Sequence, residues 1–335
     1  MPAVIPAPQL GAAPASVSGT QYLLERGPVR AELASLGAAL RSLSVSGVTR
    51  AERVGTDVVA PMGCGLVLAL WPNSGRDAVW IFDIEPQQFN VTEPALGIAS
   101  HGPLRNTGYR SLERRYDAVT LDALIAPQHG WPFLLDTSVR YALDDDGITV
   151  THAVTNPSGR PAPWAVGAHP YLRVGEVPSE RLTVTVTGAT RLELDDRLNP
   201  VAVHAVGAVQ LDADPKGADR AGAVGVDLRA GWPAAGLILN TAYGELANRS
   251  SRADVAWLVA PDRTTLWAES AFGWIQAYTP ADFPRQDGRG FAIALESTTA
   301  PPDALDSRTD LIWHEPGQRW EASWGIRYSE GTTTR

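Results

Sequence analysis

The sequence predicts an all-β protein, a single large twisted antiparallel β-sandwich, and three observations carry that prediction. Past residue 20, apolar residues recur with a period of two in short runs, the pattern of half-buried strands. The runs are separated by Gly, Pro, Asn or Asp, and the 31 glycines and 26 prolines are spread along the chain, as many tight turns between many strands require. Convincing helical periodicity is scarce, and strands spaced this regularly without intervening helices favour a sandwich or barrel.

In chain order, residues 1–20, "MPAVIPAPQLGAAPASVSGT", read as a disordered leader rich in Pro, Ala, Gly and Ser. They lack the basic start and continuous apolar block of a signal peptide. Residues 21–330 read as one domain and 331–335 as a tail. "QYLLERGPVRAELASLGAALRSL" has leucines at helical spacing, but Gly27-Pro28 and Gly37 interrupt it, so it reads as two strands and a turn. The apolar run "GLVLALW" at 65–71 is far too short to span a bilayer. "GITVTHAVTN" (147–156), "RLTVTVTGATRLEL" (181–194) and "FAIALES" (291–297) alternate most clearly.

Composition removes several classes of function. A net charge of −9 argues against a nucleic-acid or anionic-membrane partner, since both need a cationic surface. The one cysteine, Cys64, excludes an internal disulfide and fits a reducing, cytoplasmic setting. The one lysine, Lys216, lies in the polar loop "DADPKGADRAG", so neither a P-loop nor a desolvated Schiff-base lysine is present. There is no Gly-x-Ser-x-Gly elbow. "GCGLVL" at 63–68 begins like a dinucleotide fingerprint but lacks its third glycine. The six histidines show no i, i+2 or i, i+4 pair, so no local metal motif exists.

Three segments stand out for chemistry. In "FAIALES", alternation sets Phe291, Ile293 and Leu295 on one face and Ala292, Ala294 and Glu296 on the other. That second face carries two methyl groups and then a carboxylate, before a turn with two prolines; the plain alternative is a strand-end Glu in solvent. In "VGAHPYLR" (166–173), Gly167, His169, Tyr171 and Arg173 share a face while Val166, Ala168 and Leu172 face the core. Pro170 removes a ladder donor, so His169 sits at an edge, a bulge or a strand end; its plain alternative is a structural, hydrogen-bonded histidine. In "ASHGPLRNTGYR" (99–110) the His101-Gly-Pro turn is exposed by construction.

Taken in order, "HGPLRN", "HGWPFLLDTSVRYAL", "TVTHAVTNPSGRPAPWAVGAHPYLRV", "WIQAYTP", "ALESTTAPPDAL" and "DLIWHEPGQRWEASWGIRY" resemble the aldose 1-epimerase (galactose mutarotase) family, nearest its bacterial subgroup with HPY and PPDA motifs. The likeness runs from about residue 22 to about 328. It implies the galactose mutarotase-like supersandwich and the interconversion of α and β anomers of a free aldose. By the same resemblance Glu296 is the catalytic base, His169 the catalytic acid, and His101 a second histidine holding the ring oxygen and nearby hydroxyls.

Chemistry is consistent with those roles. Mutarotation removes a proton from the anomeric hydroxyl and delivers one to the ring oxygen. A carboxylate and an imidazolium on opposite sides of the ring serve both ends, with reference pKa values of ~4.3 and ~6.5. A bell-shaped rate profile follows, its acid limb assigned to Glu296 and its alkaline limb to His169. No cofactor or metal is required. The partner is a small sugar, a hexose, and the protein is expected as a monomer or homodimer.

Trp71, Trp80, Trp131 and Trp274 are candidates for the apolar face of a sugar, with core packing as the alternative. Gln276 and Tyr278 share the face of Trp274 in "WIQAYTP". The binding residues assigned are Asn73, Arg76, Asn240, Gln276, Trp274 and Tyr171. Two departures from the family pattern stand out. Relatives usually follow Pro-Asn with a sugar-binding arginine where "WPNSGRDAVW" has Ser74, and many carry an aspartate where this chain has Asn240. Altered sugar preference or weaker affinity is the expected result. Two other readings are a non-catalytic sugar-binding module and a hexose-6-phosphate 1-epimerase using Arg105, Arg110, Arg285 or Arg289.

Overall fold

The alternating runs become the strands of antiparallel sheets in a computed structural model that describes residues 16–207, 226–247, 252–285 and 288–330. Residues 1–15, the 331–335 tail and the loop holding Lys216 lie outside the described residues. Residues 16–20, assigned from sequence to the leader, are instead a packed turn. Gly19 N–H bonds the Ser16 carbonyl at 2.9 Å, the Ser16 hydroxyl donates to the Thr56 carbonyl, and Ser18 is buried.

The next stretch forms a four-stranded meander, Gln21–Arg26, Val29–Ala34, Leu40–Val45 and Val48–Ala51. Residues 21–43 therefore contribute to three strands, one more than the two read from the sequence. Leu40 starts a third strand because the Leu36-Gly37 turn reverses the chain, with Gly37 N–H bonded to the Thr107 carbonyl.

A nine-stranded sheet holds Gly147–Thr155 and Arg319–Ser329 at its centre, flanked on one side by Leu135–Leu143 and on the other by Arg263–Ala268. Position in the sheet sets the burial pattern. Leu135–Leu143 alternates buried and more exposed residues, whereas Gly147–Thr155 is buried almost throughout and can hold His152 only because the Trp324 indole donates to its Nε2 at 3.0 Å.

The third large sheet runs Pro200–Ala205, Thr190–Leu194, Asn240–Gly244, Trp274–Tyr278, Ala294–Thr298, Ala162–Ala168 and Ile312–His314, with Val67–Leu70 also paired to Ala162–Ala168. The alternating segment 181–194 is divided between sheets: Thr183–Val186 joins the nine-stranded sheet and Thr190–Leu194 the third. Residues from all three sheets share one main core, including Leu33, Val150, Val166, Leu266, Leu295 and Trp324.

Trp71, Trp80 and Trp131 join an aromatic layer with Phe89 and Phe133. Trp71 lies 4.1 Å from Phe89 and Trp131 4.9 Å from Phe133 between ring centroids.

Candidate active site

Four neighbouring strands of the third sheet and one turn assemble the site. Ala162–Ala168 ends immediately before His169, the strand-end case among the three that Pro170 left open. Val166, Ala168 and Leu172 enter the main core, which sends His169 the other way. The His169 backbone is tied to the 63–66 turn: its N–H donates to the Leu66 carbonyl at 3.0 Å and its carbonyl accepts from Gly65 N–H at 2.8 Å. Gly63 lies so close that a Cβ there would come within 2.9 Å of His169 Cδ2. The glycines that failed as a nucleotide motif thus serve close packing around an imidazole.

On Ala294–Thr298, Glu296 is paired in register with Gln276, and Asn240 with Tyr278 on the neighbouring strand. Asn240, Gln276 and Glu296 therefore share one sheet face. Upstream of that strand, Ile293 enters the main core with Leu295, while Ala292 and Ala294 pack with Tyr171, Cys64 and Phe283. The two faces are those read from the alternation, and the room beside the two alanines is filled by the Tyr171 ring.

The turn bearing His101 is held beside Asn73 by a short ribbon, Ser74 opposite Ser100 and Gly75 opposite Ala99. His101 N–H donates to the Asn73 carbonyl at 2.8 Å. Both residues adopt left-handed backbone, φ 66° for His101 and 59° for Asn73, which turns both side chains out of the ribbon.

These segments enclose a cavity of about 430 Å³ lined by Asn73, His101, His169, Asn240, Gln276 and Glu296 among others. His169 Nε2 lies 3.3 Å from Glu296 Oε1, with the two side chains only 5% and 1% exposed. The His101 ring stands edge-on to His169 at 5.5 Å. Gln276 donates to Asn240 Oδ1 at 2.7 Å. Glu296 Oε2, Gln276 Oε1, Asn73 Nδ2 and one nitrogen of each histidine have no partner among the described residues. A buried polar atom left so implies that water or a ligand completes it.

Burial pushes every titratable group at this centre toward its neutral form. The Glu296 carboxyl rises well above the usual carboxylate range. His169 falls to about 3, chiefly through burial. His101 falls well below its ordinary value through burial, then the His169 and Arg105 charges. Removal from water outweighs mutual attraction, so carboxyl and imidazole are both pushed toward their neutral forms.

The arrangement differs from the sequence expectation at four points. First, carboxyl and imidazole do not face each other across a ring; they touch and look into the cavity from one wall. Second, Arg76 does not reach the cavity: its Nε approaches Asp303 Oδ2 at 3.4 Å and its Nη2 donates to the Pro200 carbonyl at 3.1 Å. Third, Tyr171 lies behind His169, stacked on it at 5.0 Å with 13° between ring planes, its hydroxyl bonded to the Met62 carbonyl. Fourth, Trp274 packs with Leu192 and Ala242 and donates its indole N–H to Asp310 at 2.7 Å.

Trp71, Trp80 and Trp131 are likewise absent from the lining, whose aromatic ring is Tyr278. Sequence reasoning also missed Leu194 and Leu198, which line the cavity; the Ser74 hydroxyl donates to the Leu198 carbonyl at 3.1 Å. No sequence pattern links those positions; the contact spans 124 residues.

Comparison with known proteins fits this geometry. The sequence profile of the aldose 1-epimerase family matches residues 20–327. The uncharacterized protein YihR of Escherichia coli K12 is 26% identical over 302 residues, covering 90% of this chain and 91% of that protein. The GalM/aldose epimerase homologue from C. elegans superposes with a TM-score of 0.76 at 16% identity, over 93% of this chain and 100% of that one. The galactose 1-epimerase of Lactobacillus acidophilus NCFM gives 0.72 at 14% identity, over 93% and 94%. The fold is thus the galactose mutarotase-like β-sandwich. With a family match across nearly the whole sequence, the chain belongs to the aldose 1-epimerase family.

Proposed function

We propose that the protein interconverts the α and β anomers of a free aldose, a hexose, by general acid–base opening and reclosure of the ring. The observation that carries this reading is the 3.3 Å contact between His169 and Glu296 in a polar cavity of about 430 Å³. The anomeric oxygen and the ring oxygen are both bonded to C1, so a donor and an acceptor side by side on one wall serve them together.

One proton moving across the His169–Glu296 contact converts the resting neutral pair into carboxylate and imidazolium. Glu296 then takes the proton of the anomeric hydroxyl, the C1–O5 bond breaks as C1 becomes a carbonyl carbon, and His169 protonates O5. Rotation about C1–C2 and the reverse transfers close the other anomer, leaving the pair with its single proton. A well-placed acid or base contributes about 10²–10⁴-fold each, and no cofactor enters the balance. His101 and Asn73 hold the ring oxygen and adjacent hydroxyls, and Asn240 with Gln276 binds hydroxyls on the far side.

The phosphate-specific reading gains no support from charge placement. Arg110 pairs with Asp122, Arg285 with Glu52 and Arg289 with Asp282. Arg105 reaches the cavity but is bound to Glu93 at 3.0 Å and to the Ser100 carbonyl at 3.3 Å.

Polarimetry of freshly dissolved α-glucose and α-galactose tests the activity directly. The expected result is relaxation faster than the buffer rate; relaxation at the buffer rate for both overturns the reading for those sugars. The pH dependence of kcat/KM should be bell-shaped, because the active pair carries one proton.

Burial exchanges the limbs relative to the sequence expectation. As pH falls, the resting pair gains its second proton at His169, whose affinity is depressed to about 3. As pH rises, the proton is lost from Glu296, whose affinity is raised. An alkaline limb setting in near the ordinary carboxylate value of ~4.3 contradicts this ordering. Arg76→Ala should leave kcat/KM within about twofold of wild type. It should lower unfolding stability by about 1 kcal/mol, since it removes side-chain bonds to Asp303 and Pro200 and no sugar contact. A large rise in KM at unchanged stability would place Arg76 on the sugar.

A further inference from the structure

We propose that a second cavity, behind the turn that carries His101, is a carbohydrate site that takes one neutral pyranose unit. It measures about 200 Å³, the share of roughly seven liquid waters. The residues that follow His101, "GPLRN", and the stretch "HGWP", neither given a role in the proposed reaction, meet here: Gly102, Pro103, Arg105 and Asn106 form one wall, Gln128, His129 and Trp131 another.

The floor is aromatic. Trp71, Phe89 and Trp131 are 5%, 7% and 1% exposed, and the indole N–H groups of both tryptophans have no hydrogen-bond partner among the described residues. The mouth carries the exposed side chains of Asn90, Asn106 and Gln128, amides that both donate and accept.

The walls are fixed rather than loose. Gln128 and Trp131 exchange backbone hydrogen bonds at 2.8 and 2.9 Å, and the Trp80 indole ties down the Gly130 carbonyl at 2.9 Å. Asn106 ends a turn closed by the Thr107 hydroxyl on the Pro103 carbonyl at 3.1 Å.

A pyranose offers C–H groups on its faces and hydroxyls around its edge, and the site offers aromatic rings below and amides at the rim. The charge present, Arg105, is balanced by Glu93 at 3.0 Å, which suits a neutral sugar and disfavours an anionic one. Arg105 lines both cavities, and the His101–Arg105 segment is the partition between them. Two sources of the sugar share this chemistry: the second unit of a reducing disaccharide whose first unit occupies the main cavity, and a separate saccharide.

The test uses the full chain carrying Asn106→Ala and Gln128→Ala together, both at exposed positions. Calorimetric titration with methyl α-D-glucopyranoside, whose blocked anomeric centre cannot turn over, should show binding to wild type weakened about threefold to tenfold in the double variant, as lost hydrogen bonds imply. Mutarotation of α-glucose should be unchanged.

If the unit belongs to a disaccharide, kcat/KM for α-maltose falls by a similar factor while α-glucose does not change. If the saccharide is separate, both rates hold and the glycoside titration alone responds. Equal glycoside affinity and equal maltose rates in wild type and double variant overturn the site. Glycoside binding that responds to the double variant in a protein with no mutarotase activity would uphold it while refuting the proposed reaction, so the two failures are distinguishable.

Discussion

Under the proposed reaction, Glu296→Gln should lower the mutarotation rate by about 10²–10⁴-fold, the contribution of one positioned acid–base group, and should raise the stability of the fold at neutral pH. Both effects have one cause. The carboxyl is buried against His169 and its proton affinity is raised in the folded state. For a group so shifted, the folded state gains its full benefit below the unfolded carboxyl value. It loses that benefit as pH rises through the raised native value.

At neutral pH the unfolded chain ionises this group freely while the folded chain resists doing so. The wild type therefore carries a cost that neutral glutamine does not. The stability difference between variant and wild type should grow from about pH 4 upward, measured by urea unfolding at several pH values beside polarimetric rates. Glutamine that lowers stability at pH 7, or that leaves the rate intact, contradicts both the burial argument and the assigned role.

Gly102→Ala is expected to destabilise the protein by several kcal/mol and to abolish activity in whatever fraction still folds. Gly102 has φ 68° and ψ 176°, a backbone region that side chains with a Cβ essentially do not occupy, at a cost of about 1–3 kcal/mol. Steric contact adds to this, because a Cβ there would lie 1.9 Å from the Ala69 carbonyl oxygen and 2.5 Å from Leu70 N. Backbone cannot swing aside as a side-chain end does, so relaxation must move the turn. The turn carries His101 on one side and Pro103 on the other.

Gly108→Ala serves as control, since a Cβ there meets no atom within 4 Å; its stability should stay within about 0.5 kcal/mol of wild type. Thermal unfolding of the two variants side by side makes the comparison. Similar stabilities would mean the His101 turn tolerates rearrangement and is not a fixed part of the site.

Much of the molecule was legible in the sequence because strand alternation is local. Ile293 and Leu295 against Ala292 and Ala294, or Val166 and Ala168 against His169, are set by the pleat alone. With the motif order, this singled out Glu296, His169 and His101, which the fold sets around one cavity with Asn73, Asn240 and Gln276.

The failures are failures of depth and of partner. Tyr171 does share the face of His169, yet sharing a face does not say which ring lies underneath, and stacking put Tyr171 below. Trp274 shares the face of Gln276 but lies two residues earlier, at the start of the strand, where Asp310 and Leu192 claim it. Arg76 was assigned because it stands two residues beyond Ser74, where relatives carry a sugar-binding arginine, while its guanidinium is settled by Asp303, 227 residues away. Alternation gives direction; contacts across such separations depend on the closed sheet. The leader boundary was misplaced for the same reason, because Ser16 and Ser18 are fixed by Thr56.

The central place of Arg319–Ser329 in the nine-stranded sheet bears on how the chain is made. That strand of eleven residues joins Gly147–Thr155 to Arg263–Ala268, and its Ser323 hydroxyl meets that of Thr151 at 2.9 Å across 172 residues of sequence. During synthesis, the strands before residue 155 leave the ribosome with a long apolar edge unpaired until residues 319–329 emerge. Open edges of this kind invite association with other nascent chains, and closure over such distances is slow. The nine-stranded sheet is closed only when its middle strand, one of the last segments of the chain, is in place.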